Sequence, residues 1–483
     1  LSKAEDVSKF EQQRLQKLSL IKELGVEPYG NRYEGTEPAQ DVKSGFKDDD
    51  SEQRANCAGR IVLLRDIGKL IFITLRDRSG TIQVGLSKNL LAEQWQPAKL
   101  LELGDIIGAE GRLGKTKTGE ITIWADKVVL LSKCLLHPPE KFHGLADIDQ
   151  RYRQRYVDLW ANPEVMERFK TRSAVITTIR EFLTSRGFLE VETPMMQTIA
   201  GGAAAKPFIT HHNSLDMDLF LRISPELFLK RLLVGGMEKV FEINRNFRNE
   251  GLSRQHNPEF TMIEVYQAYA DYNVMMDLTE ELISLCLQKH GGGKQVRFGE
   301  LTIDFTRPWR RARYADLLKE FSGCDIDDIA AVRTRARQLE LEEADMDDAV
   351  VVNEVFEKTV EDNLIAPTFV IDYPAALCPL ARRKKDNPEF AARFELFIAR
   401  MELANAYTEL NDPAVQYENF LTQLRGQEES LTKMDGDYIT ALKYGMPPAG
   451  GLGIGIDRLI MVLTGAESIR DVVLFPLLRP AKT

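Results

Sequence analysis

Residues 240–266 read VFEINRNFRNEGLSRQHNPEFTMIEVY, and the two-residue repeat of a strand sorts them onto two unlike faces. Phe241, Ile243 and Phe247 fall on one side of the first half, and Glu242, Asn244, Asn246, Arg248 and Glu250 on the other. The loop GLSRQHNP reverses the chain, and in the returning strand Phe260, Met262, Glu264 and Tyr266 share a face. The stretch is therefore predicted to be a β-hairpin that turns an arginine, an aromatic ring and several carboxylates toward one cleft. Solvated surface charges would alternate in the same way. The fixed spacing of Phe247-Arg248-Asn249-Glu250, His256 and Phe260 favours a site.

Working outward, Val175, Ile179, Phe182 and Leu183 mark the apolar stripe of a helix closed by Gly187, and the short strand FLEVETP ends at Pro194. Ser224-Pro225-Glu226 opens another helix, since proline suits the first turn. Glu226 either caps that end or faces the cleft as a ligand. Residues 273–290 read as a helix and 312–364 as an acidic, helix-rich insertion. The sheet resumes with PTFVIDYP from 367 and RFELFIARMELANAYTELND from 393. In GGLGIGIDRLIMVL, 450–463, Gly451, Gly453 and Gly455 let a strand pass close under a ligand, and Asp457 and Arg458 open an apolar helix. That run lacks the spacing and the downstream acid of a dinucleotide fingerprint, and the chain has no P-loop.

Residues 56–133 change register to short alternating runs separated by turns, with an excursion at 87–100, which predicts a five-stranded closed barrel of the OB type. Ile71, Ile73 and Leu75 point inward, as do Ile82, Val84 and Leu86, and as do Ile121, Ile123 and Ala125. Phe72, Gln83, Glu120 and Trp124 are left outside. An outward ring beside hydrogen-bonding side chains suits single-stranded bases, although another domain could equally cover it. Residues 4–24 suggest an amphipathic helix carrying Phe10, Leu15, Leu18, Ile21 and Leu24.

At 483 residues the chain calls for two or three domains, and 43% hydrophobic with 28% charged residues reads as globular. A net charge of -10 argues against coating nucleic acid by bulk attraction, so any RNA contact must be local. Cys57, Cys134, Cys286, Cys324 and Cys378 are scattered, which predicts a reducing, cytoplasmic compartment without zinc or disulfides. No apolar run approaches the ~20 residues of a membrane span, and residues 1–30 do not resemble a secretory signal. Starting at Leu1 points to upstream residues having been trimmed.

With these residues in hand, FRNEG followed by NPEFTM-x-E-x-Y resembles motif 2 of the class II aminoacyl-tRNA synthetases in its lysyl form. GIGIDR with its helix resembles motif 3, and the helix-strand-Pro194 unit resembles motif 1, the dimer-forming segment of that family. The likeness to class II lysyl-tRNA synthetases runs over almost the whole chain and is weakest at 290–365. It implies an α+β architecture with a helical segment at 1–50, an OB-fold barrel at 51–140 and a linker at 141–164. A catalytic domain at 165–483 follows, built on an antiparallel sheet flanked by helices, with a helical insertion at about 310–365.

The resemblance also implies a reaction, in which L-lysine is activated by ATP and transferred to the end of tRNA(Lys) by a homodimer. Arg248 and Arg458 would be the catalytic pair, Arg248 on the α-phosphate and the amino-acid carboxylate. Phe260 would stack on adenine with Arg458 on its other face. Glu250 and His256, with Asn257 beside them, would hold the triphosphate and the adenine edge, and Glu395 and Glu402 would hold magnesium. Gly202, Glu226 and Glu264 would line the α-amino side of lysine, with Asn405 and Tyr407 nearby, while Tyr266 and Glu409 hold the ε-ammonium. In the barrel, Arg65, Phe72, Gln83 and Glu120 would read the anticodon.

Two positions depart from the bacterial pattern: Ala404 stands where glycine is common, and Cys378 where serine is common. The methyl of Ala404 has two placements open to it, into the amino-acid pocket or against the neighbouring strand. Two other functions fit parts of the sequence. One is a paralogous adenylating ligase with a lysine-like substrate or a protein acceptor, a family that lacks the barrel. The other is a non-catalytic tRNA-binding regulator, against which the intact Arg248, Glu395, Glu402 and Arg458 speak.

Overall fold

The computed structural model describes residues 9–136, 145, 147–203, 205–424 and 434–480. The chain divides into two compact units, 1–146 and 147–483.

In the first unit, strands Arg54–Asp66, Leu70–Arg76, Thr81–Ser87, Ile106–Lys115 and Ile121–Ser132 close into a barrel. The first strand pairs with the second and the fourth, and the third pairs in parallel with the fifth. Alternation places Ile71, Ile73, Leu75, Ile82, Val84, Leu86, Ile123 and Ala125 in the barrel core, while Ile121 is half-buried at its edge. The 87–100 excursion forms short helices, Lys88–Leu91 and Trp95–Ala98, that add Leu91 and Trp95 to this core.

The N-terminal helix, Lys9–Glu23, departs from its expected face. Phe10, Leu15 and Leu24 are exposed, whereas Arg14 and Ile21 are buried. Arg14 donates to the carbonyls of Cys134 (2.7 Å) and Leu103 (3.0 Å), so a guanidinium fork that serves open backbone acceptors orients the helix more than its leucines do. Residues 4–8 of the expected helix lie outside the described residues.

The second unit is built on an eight-stranded sheet. Its order is Arg310–Arg313, Thr368–Pro374, Phe390–Ile398, Met401–Thr408, Ala449–Gly455, Glu259–Ala268, Lys239–Phe247, Leu189–Glu190. The inner pairs are antiparallel, but each edge strand joins in parallel, so the sheet is mixed. Helices Pro163–Thr184, Tyr272–His290 and Ile456–Thr464 cover one face. Val175, Ile179, Leu282, Leu459 and Ile460 pack there with Phe241, Ile263, Val265 and Ile454 from the strands, at about 1.5–3 kcal/mol for each large side chain buried. At one end of the opposite face, helices Glu226–Val234 and Gly436–Lys443 pack with Val240 and Tyr266.

Two expected boundaries are corrected. The segment read as a linker to 164 belongs to the second unit from Asp147 onward and forms helices Ile148–Arg153 and Arg155–Ala161. Arg155 is fully buried and pairs with Asp158, and it donates to the carbonyls of Arg470 (2.7 Å) and Leu474 (3.0 Å), which fixes the segment to the C-terminal stretch. The insertion begins later than expected, because Arg310–Arg313 is an edge strand of the sheet. Helices Tyr314–Ser322, Ile329–Gln338 and Asp348–Val360 then build a core of their own, where Tyr314 stacks on Phe356 at 3.9 Å.

Candidate active site

Register across the sheet lines up Glu242, Glu264, Gly453, Asn405 and Glu395 in one row. The adjacent row is Val240, Tyr266, Gly451, Tyr407 and Arg393. Directly paired residues project from the same face, so five strands contribute to one wall. Gly451 cannot carry a side chain. A Cβ there would stand 1.8 Å from Glu409 Oε1 and 2.6 Å from the Tyr266 ring, so the bare strand is what lets that carboxylate lie against the sheet.

One cluster of acids gathers where helix Glu226–Val234 begins. Ser224 Oγ donates to Glu264 Oε1 (2.9 Å), the Tyr266 hydroxyl to Glu264 Oε2 (3.0 Å), and the Tyr407 hydroxyl to Glu226 Oε2 (2.7 Å). Gly202, at φ +87°, lies beside Ser224 and Glu226. Lys230 sits at the centre, its ammonium on Glu226 Oε1 and against Glu409. Burial pushes Glu264 up to about 8, with Glu226 adding repulsion. Burial likewise pushes Glu409 upward, against the pull of Lys230. Burial works against the charge of Lys230, but Glu226 and Glu409 outweigh it and hold the ammonium above the usual lysine range. Glu242, beside Glu264 on the wall, is spoken for by Arg222 (2.7 Å) and the Thr193 hydroxyl (2.7 Å).

A second cluster lies along the hairpin. The Arg248 guanidinium stands 5.1 Å over the Phe260 ring. Burial pulls its pKa down, and Glu402, Glu250 and Glu264 oppose that. Arg458 Nη1 reaches Glu402 Oε2 at 3.4 Å and Nη2 donates to His256 Nε2 at 3.1 Å. Because a guanidinium can only donate, Nε2 is the acceptor and Nδ1–H donates to Ser253 Oγ at 2.9 Å. Burial and Arg458 both depress the His256 pKa, so the ring is neutral near pH 7. Asn405 Nδ2 donates to Glu402 Oε1 (3.0 Å). Glu395 accepts from the Tyr373 hydroxyl (2.7 Å) and pairs with Arg393. Burial raises Glu395, whereas at Glu402 burial is outweighed by Arg458, the Asn405 hydrogen bond, Arg393 and Arg248 acting together, which lower it.

Asp457 anchors the helix that carries Arg458. Its carboxylate takes the amide of Thr261 (2.7 Å) and Arg172 Nη1 (2.6 Å), which ties three elements together behind the cleft. Glu250 is exposed on the hairpin loop. Asn257 is buried, its Nδ2 bonded to the Glu259 carbonyl (2.6 Å) and its Oδ1 without a partner among the described residues. Ala404 pairs with Ile454, one step out of phase with Asn405 and Gly453, so its methyl lies in the helix-covered core and not on the wall. Cys378 is buried, and its sulfur accepts from Arg393 Nη1 at 3.3 Å.

Sequence reading missed Lys230, Ser224, Tyr373, Arg393 and Arg172. Only Lys230 carried a signal, as a lysine four residues after Glu226 among the leucines of ELFLKRLLV.

In the barrel, Phe72 meets Trp124 edge to face at 5.9 Å on the outer surface. The indole lies over Gly85, where a Cβ would stand 2.7 Å from the ring. Gln83 pairs with Thr74 on that face, Arg65 pairs with Phe72 and is exposed, and Glu120 is held by Lys43 at 3.1 Å. Thr122 shares the face yet is fully buried.

Among the described residues, no group of three or more His, Cys, Asp or Glu could hold a metal ion, and no helix is long and apolar enough to cross a membrane. All five cysteines are free.

Residues 147–479 match the family model described as tRNA synthetases class II (D, K and N), and residues 55–131 match that of the OB-fold nucleic acid binding domain. The chain is 53% identical over 476 residues to a lysine–tRNA ligase of Carboxydothermus hydrogenoformans, covering 97% of each chain. It is 52% identical over 483 residues to a lysine–tRNA ligase of Syntrophomonas wolfei, covering 98% of each. A third relative, the lysine–tRNA ligase of Magnetococcus marinus, is 50% identical over 485 residues, with 95% of each covered.

Proposed function

The chain belongs to the class II tRNA synthetases of the D, K and N group and acts as a lysine–tRNA ligase; on that premise we propose that the acid cluster takes L-lysine and that the cleft between Arg248 and Arg458 takes ATP. The observation that carries the assignment is the convergence of Glu226, Glu264 and Glu409, largely buried, on one pocket beside a guanidinium. Buried carboxylates are costly unless cations meet them, and lysine brings two ammonium groups tethered by a chain of four methylenes.

Glu264, Glu226 and Gly202 receive the α-ammonium, with Asn405 and Tyr407 beside them, while Tyr266 and Glu409 hold the ε-ammonium. Arg248 takes the lysine carboxylate and the α-phosphate together, which brings nucleophile and electrophile into line. A carboxylate is nucleophilic enough at neutral pH, so the barrier is lowered by positioning and by neutralising charge. The lysine oxygen bonds to the α-phosphorus as the bond to pyrophosphate breaks, and a terminal ribose hydroxyl of tRNA(Lys) then takes the lysyl group, releasing AMP. Phe260 and Arg458 sandwich adenine, and neutral His256, with Glu250 and Asn257, lines the triphosphate side.

Glu395 and Glu402 are the residues that would hold magnesium. They present two carboxylates on neighbouring strands, braced by Tyr373, Arg393 and Asn405. Two acids make no all-protein cage, a donor set that suits an ion sharing phosphate oxygens and waters. When bound, it would neutralise charge on the triphosphate. Lysine-dependent ATP–pyrophosphate exchange by the purified protein, followed by aminoacylation of tRNA, tests the whole assignment.

Anticodon reading belongs to the Phe72–Trp124 face with Arg65, Gln83 and Glu120. Phe72→Ala removes a stacking surface worth ~1–3 kcal/mol per base, so the KM for tRNA is expected to rise by roughly 5- to 150-fold while pyrophosphate exchange stays unchanged. Equal losses in both assays would mean that the barrel does something else.

The homodimer is supported by exposed apolar side chains around the first motif, Leu189, Met195, Met196 and Ile209. Sedimentation at micromolar concentration should give a dimer, and a fully active monomer would overturn the assignment. Free cysteines throughout support a reducing, cytoplasmic setting.

A further inference from the structure

Lys230 is fully buried, with its ammonium between Glu226 and Glu409 and 5.4 Å over the Tyr407 ring. The neighbouring Arg231 cannot take this place, because it turns away to Asp435 (2.7 Å) and Asp437 (3.0 Å). The other ionisable groups around the ammonium are Glu264 and the hydroxyls of Tyr266, Tyr407 and Tyr438, all four phenol and carboxyl groups being held toward their neutral forms by burial. Glu242 is outside the count, since Arg222 neutralises it.

We propose that Lys230 is the pocket's own counter-ion, a positioning residue that holds Glu226 and Glu409 side by side and leaves the pocket two negative charges from neutral, the number that the two ammonium groups of L-lysine supply. With all three carboxylates ionised, the state reached once lysine has displaced the proton that Glu264 binds in the free pocket, they and the one ammonium sum to −2. The carboxylate of the incoming amino acid is met separately by Arg248. An amino acid with a neutral side chain therefore leaves one buried carboxylate unmatched, and discrimination follows from charge as well as shape. Removing Lys230 takes the pocket to −3, one more than lysine can balance, and frees the Glu409 carboxylate to move from the sheet. The inference rests on the lysine-ligase assignment and deepens it.

The test is lysine-dependent ATP–pyrophosphate exchange by the full chain in five forms: wild type, Lys230→Met, Lys230→Gln, Glu226→Gln and Glu226→Gln/Lys230→Met. Absence of exchange by wild type would sink the ligase assignment itself, whereas the variants are read relative to wild type. Both single Lys230 variants are expected to raise the KM for lysine by roughly 100-fold or more, since a buried pair is broken, with the KM for ATP within about twofold. The double variant returns the pocket to −2, so its KM for lysine should fall below that of Lys230→Met. The proposal is overturned if the lysine KM moves less than about twofold, if the ATP KM rises by the same factor, or if the lysine KM of the double variant is no lower than that of Lys230→Met.

Discussion

Arg248→Ala is expected to lower kcat/KM for lysine-dependent pyrophosphate exchange by roughly 10²–10³-fold, the loss typical when one preorganised donor to a developing charge is removed. The side chain is aimed by its surroundings. Its backbone amide donates to the Pro258 carbonyl (2.8 Å), closing the hairpin loop, and its guanidinium lies over Phe260. Its Nε is buried without a protein partner among the described residues, consistent with a donor kept for substrate. Arg248→Lys keeps a charge but loses the two-pronged fork that can span a carboxylate and a phosphate, so an intermediate loss is expected. A fall of less than about tenfold in the alanine variant would show that another group carries the α-phosphate.

Glu409→Gln should act on the other substrate. The ε-ammonium would be desolvated opposite a neutral amide, and breaking a buried pair costs ~3–5 kcal/mol, so the KM for lysine is expected to rise by roughly 150- to 5,000-fold with that for ATP nearly unchanged. A change of less than about twofold for lysine would show that a different acid holds the ammonium. The pH dependence of the wild type follows from the same chemistry. Glu264 has its pKa raised to about 8 in the free pocket, so near neutrality it binds a proton that lysine must displace. The ionised form is the one that meets an ammonium, hence lysine affinity rises with pH up to about 8 and then levels, with a slope approaching tenfold per unit for each proton released. Calorimetry in buffers of different ionisation heat should register that release near pH 7.

Much of this was legible in the chain itself. The hairpin face of Glu242, Asn244, Phe260, Glu264 and Tyr266 follows from a period of two, and the register bears it out because one buried face allows no one-residue slip. The barrel was legible for the same reason: its inward residues alternate from Ile71 to Leu75 and from Ile82 to Leu86. The helix at Lys9–Glu23 was legible as a helix but not in its orientation, since Arg14, a residue that hydropathy counts as outward, reaches the backbone carbonyls of the barrel.

Ala404 shows where sequence reading ends. Whether its methyl enters the pocket depends on which side of Asn405 it falls once the strand pairs with Ala449–Gly455, and the register puts it opposite Ile454, among the helices. Lys230 is the second case. A helical lysine beside leucines reads as a surface charge or an anomaly until Glu409, 179 positions later in the chain by its number, is folded against it.

The sequence by itself determined the barrel and the central hairpin, because periodicity is a local property that survives without a fold, and the resemblance of its motifs to those of class II lysyl-tRNA synthetases supplied the catalytic sheet and the reaction. The tertiary structure alone decided which acids share a pocket, which cation balances them and which face of the sheet each strand residue serves. Those are properties of pairing between distant segments, where charges that are far apart in sequence become costly or complementary only after they are brought together out of water.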